Sequence, residues 1–171
     1  MDLTRYIRDV PDFPAPGVLF RDVTPLLRDP AALRFVLDEM AAAVEQRRAT
    51  AIVGIESRGF LFGAPVAARL GLPFVPVRKP GKLPAARMSV EYSLEYGNGQ
   101  LDIHADALTP ADRVVIIDDL LATGGTALAA IKLAELLGAR VEGCVVLIEL
   151  AALGGRAKLA GYDVRALVRY D

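Results

Sequence analysis

No tryptophan occurs in these 171 residues, and cysteine and histidine occur once each. A single thiol has no partner for an internal disulfide. Cys144, inside the apolar run GCVVLIEL, therefore reads as a small buried hydrophobe in a reducing, cytosolic setting. Ser57 has no histidine beside it, and His104 lies outside every motif below, which gives it a surface role and excludes a nucleophilic pair. No apolar run reaches the ~18 residues of a membrane span. The start, MDLTRYIRDVPDF, lacks the apolar stretch of a secretory leader. A net charge of −1 supplies no basic face for wrapping nucleic acid. It does not bar a small anion met by a local Arg/Lys cluster, backbone amides and a divalent cation. There is no GxxxxGK[ST] and no GxGxxG after the first core strand, so the common nucleotide cradles are excluded.

The composition, 53% hydrophobic and 24% charged, suits one folded domain spanning residues 1–171. The pattern predicts a short helix over 5–9, then an irregular stretch enforced by Pro11, Pro14, Pro16 and Gly17. Asp29 caps a helix that has Pro30 in its first position and runs over 31–47. Strands are expected over 51–55, 72–77, 114–117, 141–147 and 164–168. Helices are expected over 60–70, 125–137 and, weakly, 153–159, with Gly71 and Gly138 as C-terminal caps. Runs such as TAIVGI, VVII and CVVLI are apolar on both faces, as in a buried parallel sheet. The fold class is therefore α/β, an open parallel sheet flanked by helices. Residues 82–102 break this rhythm. Alternation in SVEYSLEYGNGQLDI predicts a projecting, flexible hairpin turning near Gly97, Asn98 and Gly99.

The stretch 114–127, VVIIDDLLATGGTA, carries the most chemistry. Asp118 and Asp119 fall at the carboxyl end of a core strand, where open α/β sheets bind ligands. Carboxylates accept from vicinal hydroxyls. Ala122, Thr123, Gly124, Gly125 and Thr126 then offer backbone amides and two hydroxyls at a helix start, a cradle for a monophosphate. The segment reads as a site for a phosphorylated sugar. An exposed acidic turn before a Thr-capped helix has the same composition.

Further segments are PDFPAPGVLFRDVTPLLRDP (11–30), ESRGFLFG (56–63), RKPGKLP (78–84) and YSLEYG (92–97). With 114–127 they resemble the type I phosphoribosyltransferases, in family order along nearly the whole chain, and specifically the adenine-using branch. The resemblance implies transfer of a 5-phosphoribosyl group from its 1-pyrophosphate to adenine, giving AMP in purine salvage. It assigns Asp118 and Asp119 to the ribose hydroxyls and residues 122–126 to the 5′-phosphate. Glu56, Ser57, Arg58, Lys79, Lys82 and Arg87 fall on the pyrophosphate side, with a cis peptide expected at Glu56–Ser57. Position 56 is Glu where some relatives have Asp, and both keep the carboxylate.

Leu19, Phe20, Arg21 and Ala122 would line the adenine pocket, within a hood formed by residues 1–30. Glu95 is the implied catalytic carboxylate on the mobile 82–102 segment, acting with Arg58 and Lys79. Tyr92 and Tyr96 would support that lid. Mg²⁺ is implied as cofactor, held mainly by the pyrophosphate and water with no direct protein ligand. A cytoplasmic homodimer is implied, with no nucleic acid or membrane partner. Use of a 6-oxo purine, or a regulatory module that binds the sugar phosphate without chemistry, are the alternatives.

Overall fold

The computed structural model describes residues 1–93 and 98–171. Glu95 and Tyr96, with the expected turn at Gly97, lie outside the described residues.

The N-terminal region departs from expectation. A 3₁₀ turn at Leu3–Tyr6 precedes two short antiparallel strands, β1 (Arg8–Pro11) and β2 (Leu19–Asp22). Opposite charges face each other across them. Arg8 pairs with Asp22 at 2.6 Å, and Arg21 pairs with Asp9. These cross-strand pairs favour strand over the helix expected for 5–9. A short α1 (Thr24–Arg28) leads to α2 (Pro30–Gln46). Asp29 caps α2 as its sequence promised, its Oδ1 accepting from the Ala31 and Ala32 amides at 2.9 Å.

The remaining elements are β3 (Ala51–Ile55), α3 (Arg58–Leu70), β4 (Phe74–Val77), β5 (Arg87–Ser93), β6 (Asn98–His104), β7 (Arg113–Leu121), α4 (Gly125–Leu136), β8 (Arg140–Leu150), a 3₁₀ turn at Ala151–Leu153, α5 (Gly155–Lys158) and β9 (Val164–Tyr170). Five strands pair in parallel in the order β4-β3-β7-β8-β9. Val115, Ile117, Val145 and Leu147 pack one sheet face against α1, α2 and α3. Val53, Ile116 and Val146 pack the other against α4 and the antiparallel β5–β6 pair. Burying both faces explains the apolar runs.

Two differences from the sequence reading matter for the site. β7 does not stop at Ile117 but continues through Asp118 and Asp119 to Leu121, so both acids are strand residues. The β5–β6 pair is rooted in the core, since Leu101, Asp102 and Ile103 are buried. Arg78 and Asp102 also exchange backbone hydrogen bonds at 2.9 and 2.7 Å, which ties the pair to the end of β4.

The strand order fixes where a ligand binds. The chain leaves β3 toward β4 on one side and returns to β7 on the other. The crevice beyond the carboxyl ends of β3 and β7 is the topological switch point.

Candidate active site

A cleft of about 470 Å³ opens at that switch point. Two helices begin on it. The 13-residue α3 starts at Arg58 and the 12-residue α4 at Gly125, and neither has a side-chain cap hydrogen bond. The first-turn N–H groups of an uncapped helix are unsatisfied donors at the positive end of the helix dipole. Two such ends on one cleft make two anion sites. A molecule with phosphate at each end fits this arrangement.

Between them stand the acids of β7. Asp119 is buried, and its Oδ2 pairs with Arg58 Nε at 2.5 Å. Asp118 is half-buried, and its Oδ1 accepts from the Asp119 amide at 2.9 Å. Burial, followed by the neighbouring Asp119 charge, pushes the Asp118 carboxyl well above the usual range. Burial also raises Asp119, with Arg58 opposing. An acid pair under this strain gains from donors that stabilise its charge, and vicinal hydroxyls are such donors. α3 comes this close because residue 59 is glycine: a Cβ there would sit 2.7 Å from the Ile117 carbonyl and 3.0 Å from Asp118 Oδ1.

The facing wall is assembled from two turns. The Glu56–Ser57 peptide is cis, as the resemblance implied. Glu56 does not face the cleft as a free carboxylate. It accepts from the Lys79 amide at 3.0 Å and from Arg78 Nε at 3.1 Å. Burial alone would raise Glu56, but the Lys79 amide and the Arg78 guanidinium outweigh it and hold it below the usual range. Glu56 thereby fixes the turn that presents the exposed Lys79. Arg78 has the anchoring role within the basic run 78–82, and its Nη1 also donates to the Lys82 carbonyl at 3.0 Å.

The expected site residues divide clearly. Glu56, Ser57, Arg58, Lys79, Asp118, Asp119 and 122–126 all line the cleft. Lys82 and Arg87 do not: Lys82 is exposed, and Arg87 Nε pairs with the buried Asp102 at 3.2 Å. Tyr92 and Leu101, on the β5–β6 pair, line the cleft as well.

The residues expected around adenine approach from β2. Phe20 stacks edge-on against Phe13 with ring centroids 5.1 Å apart, and the Arg58 guanidinium lies 5.1 Å from the Phe20 ring centre. Phe20 therefore borders the cleft through Arg58. Arg21 is turned elsewhere, onto the Tyr170 ring at 3.8 Å and onto Asp9. Leu19 is 45% exposed. Phe13 was missed by sequence reasoning; its signal was an aromatic beside the VLF segment across a proline turn.

Cys144 is a free, buried thiol pushed up to about 12 by burial, which makes it inert. Among the described residues, no three His, Cys, Asp or Glu side chains converge as a metal cage. Mg²⁺ commonly binds through one or two carboxylates plus substrate phosphates and water. The Asp118–Asp119 pair beside two anion sites fits an ion brought in with a diphosphate.

The phosphoribosyl transferase domain family matches residues 25–167, and the chain belongs to that family. An adenine phosphoribosyltransferase of Carboxydothermus hydrogenoformans is 59% identical over 99% of this chain and 100% of its own. The crystal structure of adenine phosphoribosyltransferase from Thermoanaerobacter pseudethanolicus superposes with a TM-score of 0.96 at 52% identity, covering 99% of this chain and 98% of that one. The Saccharomyces cerevisiae adenine phosphoribosyltransferase, complexed with an imino-altritol bisphosphate and adenine, superposes with a TM-score of 0.89 at 38% identity, covering 96% and 94%. Within the family the chain thus falls among the adenine phosphoribosyltransferases, which are glycosyl-transferring enzymes. No helix among the described residues is long and apolar enough to cross a membrane.

Proposed function

We propose that the chain joins adenine N9 to C1′ of 5-phosphoribosyl 1-pyrophosphate, releasing pyrophosphate and forming AMP. The observation that carries the proposal is the acid pair standing between two uncapped helix N-termini at the switch point. The α4 end and residues 122–126 take the 5′-phosphate. Asp118 and Asp119 accept from the ribose hydroxyls. Ser57, Arg58, Lys79 and the α3 end take the diphosphate. Adenine lies toward Phe20 and Ala122. The yeast relative was complexed with adenine and a bisphosphate together, which supports a site that takes a base beside two phosphate groups.

As the C1′–O bond breaks, its electron pair leaves with the diphosphate. Arg58 and Lys79 stabilise that charge. N9 forms the new bond and gives up its proton, which we assign to Glu95. Asp118 and Asp119, beside the diphosphate site, would hold Mg²⁺, and the ion would supply further neutralisation of the leaving group. Tyr92 and Leu101 close the cleft against water, which would otherwise capture the sugar. Phe13, Val18 and Leu19 expose an apolar surface that supports a homodimer, and the free Cys144 supports a reducing, cytoplasmic setting.

Incubation with Mg²⁺, the sugar diphosphate and each of adenine, hypoxanthine, guanine and xanthine tests the reaction. AMP from adenine is expected, with far slower conversion of the 6-oxo purines. Their buried donor and acceptor mismatches cost roughly 1–3 kcal/mol per group. Glu95→Ala should cut kcat by about 100-fold, within the usual span for a lost acid–base group, and leave binding of the sugar diphosphate intact. An unchanged kcat would remove Glu95 from the reaction.

A further inference from the structure

Behind the 122–126 loop lies a second turn that the reaction does not touch. Gly155 is buried where α5 begins. A Cβ at Gly155 would fall 2.1 Å from the Ala122 carbonyl oxygen and 2.9 Å from the Gly124 nitrogen. From the other side, a Cβ at Gly124 would fall 2.7 Å from the Gly155 carbonyl oxygen. The two backbones are interlocked with no room for a side chain on either.

The next residue clamps the turn. Arg156 Nε and Nη2 donate to the two carboxylate oxygens of Glu149 at 2.9 and 2.5 Å, and Nη1 donates to the Val164 carbonyl at 2.8 Å. Glu149 is 3% exposed and sits in register with Leu121, the last residue of β7. A planar guanidinium therefore joins the ends of β8 and β9 to the turn that presses on the loop.

We propose that Gly155, held by the Arg156–Glu149 clamp, is a positioning residue that sets the shape of the 5′-phosphate loop from behind. The inference rests on the reading of 122–126 as that loop. A loop whose amides must converge on one phosphate tolerates little displacement, and about 1 Å of misplacement can cost a hundredfold in rate. Sequence reasoning missed this turn, because Gly154 and Gly155 fall inside the weak helix expected over 153–159 and nothing local ties them to residues 122–126.

The test compares binding of ribose 5-phosphate and AMP with steady-state kinetics in four variants. Gly155→Ala should weaken both phosphates by about tenfold and raise KM for the sugar diphosphate similarly, with KM for adenine within about twofold. Gly161→Ala is the control: Gly161 has a φ of +98° with nothing within 4 Å of a Cβ, so it is strained but does not touch the loop. It should lower Tm and leave phosphate affinity unchanged. Arg156→Lys keeps the charge but loses the fork, and should weaken the phosphates by about threefold to fivefold.

Thr126→Ala reports on the loop itself. If Thr126→Ala leaves phosphate affinity unchanged, the loop reading fails. If it weakens the phosphates while Gly155→Ala and Arg156→Lys do not, the positioning role alone is overturned. Should Gly155→Ala fail to fold, an unchanged phosphate affinity in Arg156→Lys overturns the proposal by itself.

Discussion

The wall running from β7 into α4 draws its polar groups from one stretch, Asp118 to Thr126, whereas the facing wall combines Glu56–Arg58 with Arg78–Lys79, which meet only through folding. On the first wall the backbone presents the groups: a strand end, a short turn and a helix start in immediate succession. On the second, a side chain does the joining. Glu56 spans two turns, and Arg58 reaches across the cleft to Asp119. A continuous wall is robust to loss of one hydrogen bond, while a wall pinned by one carboxylate depends on it. In the proposed function the two walls serve different ends of one substrate, so damage to each should be separable by ligand.

The Arg58–Asp119 pair is where the walls meet, and breaking it should have the largest effect. Asp119→Ala removes the carboxylate that the proposed function gives to the ribose hydroxyls and leaves the Arg58 guanidinium without its partner. Hydrogen bonds to charged groups are worth about 1.5–3 kcal/mol, and each 1.36 kcal/mol is tenfold in rate, so kcat/KM should fall by about 10-fold to 150-fold. Steady-state AMP formation checks this. A loss below about tenfold would mean that the acid does not hold the sugar in the transition state.

Glu56→Gln sharpens the comparison. The amide retains an acceptor for the Lys79 N–H but loses the charge that holds Arg78. KM for the sugar diphosphate should rise by about tenfold, an effect of one charge-assisted hydrogen bond. Binding of AMP, whose one phosphate the proposed function gives to the α4 wall, should stay within about twofold. Equal weakening of both ligands would show that the walls are not independent.

The same contrast explains what the sequence disclosed. The 118–126 wall was legible because its groups are neighbours in the chain, so strand pattern, acids, glycines and helix start are read together. The Asp29 cap and the apolar core strands were legible for the same local reason. Glu56 was expected to face pyrophosphate, but its bonds to residues 78 and 79 arise only from the parallel pairing of β3 with β4. Arg87 was assigned to the pyrophosphate by the resemblance, and its ion pair with the buried Asp102 of β6 could not be read from neighbouring residues. The β1–β2 pair left one unused signal: Arg8–Asp9 and Arg21–Asp22 become complementary only when antiparallel. The extension of β7 through Asp118 and Asp119 ran against the usual depletion of aspartate in strands. In the proposed function, hydroxyl binding rather than strand propensity accounts for those residues there.

That conflict predicts the smallest effect, one of opposite sign. Asp118 carries a carboxyl raised by burial and by Asp119, so its charge is a cost to the ligand-free fold. Its folded pKa lies above the unfolded value near 3.8, so the stability it contributes is fully present below that value and lost as pH rises through the folded pKa. Asp118→Asn keeps the shape and removes the charge. The variant should therefore melt higher than the parent at neutral pH, and the difference should shrink to nothing as pH falls below about 4. Each kcal/mol relieved is worth about 2–4 °C in a chain of this size, and a rise of that order is expected. Sugar-diphosphate binding should weaken in the same protein, because an amide is a poorer acceptor for two hydroxyls. The equivalent experiment on the facing wall must go the other way. Glu56 is held below its usual range by Arg78 and Lys79, so Glu56→Gln should lower Tm at neutral pH, and the loss should fade as pH falls through the folded Glu56 pKa. Melting curves of both variants across pH decide the matter: two shifts of the same sign would show that the walls do not differ in where their charge is tolerated.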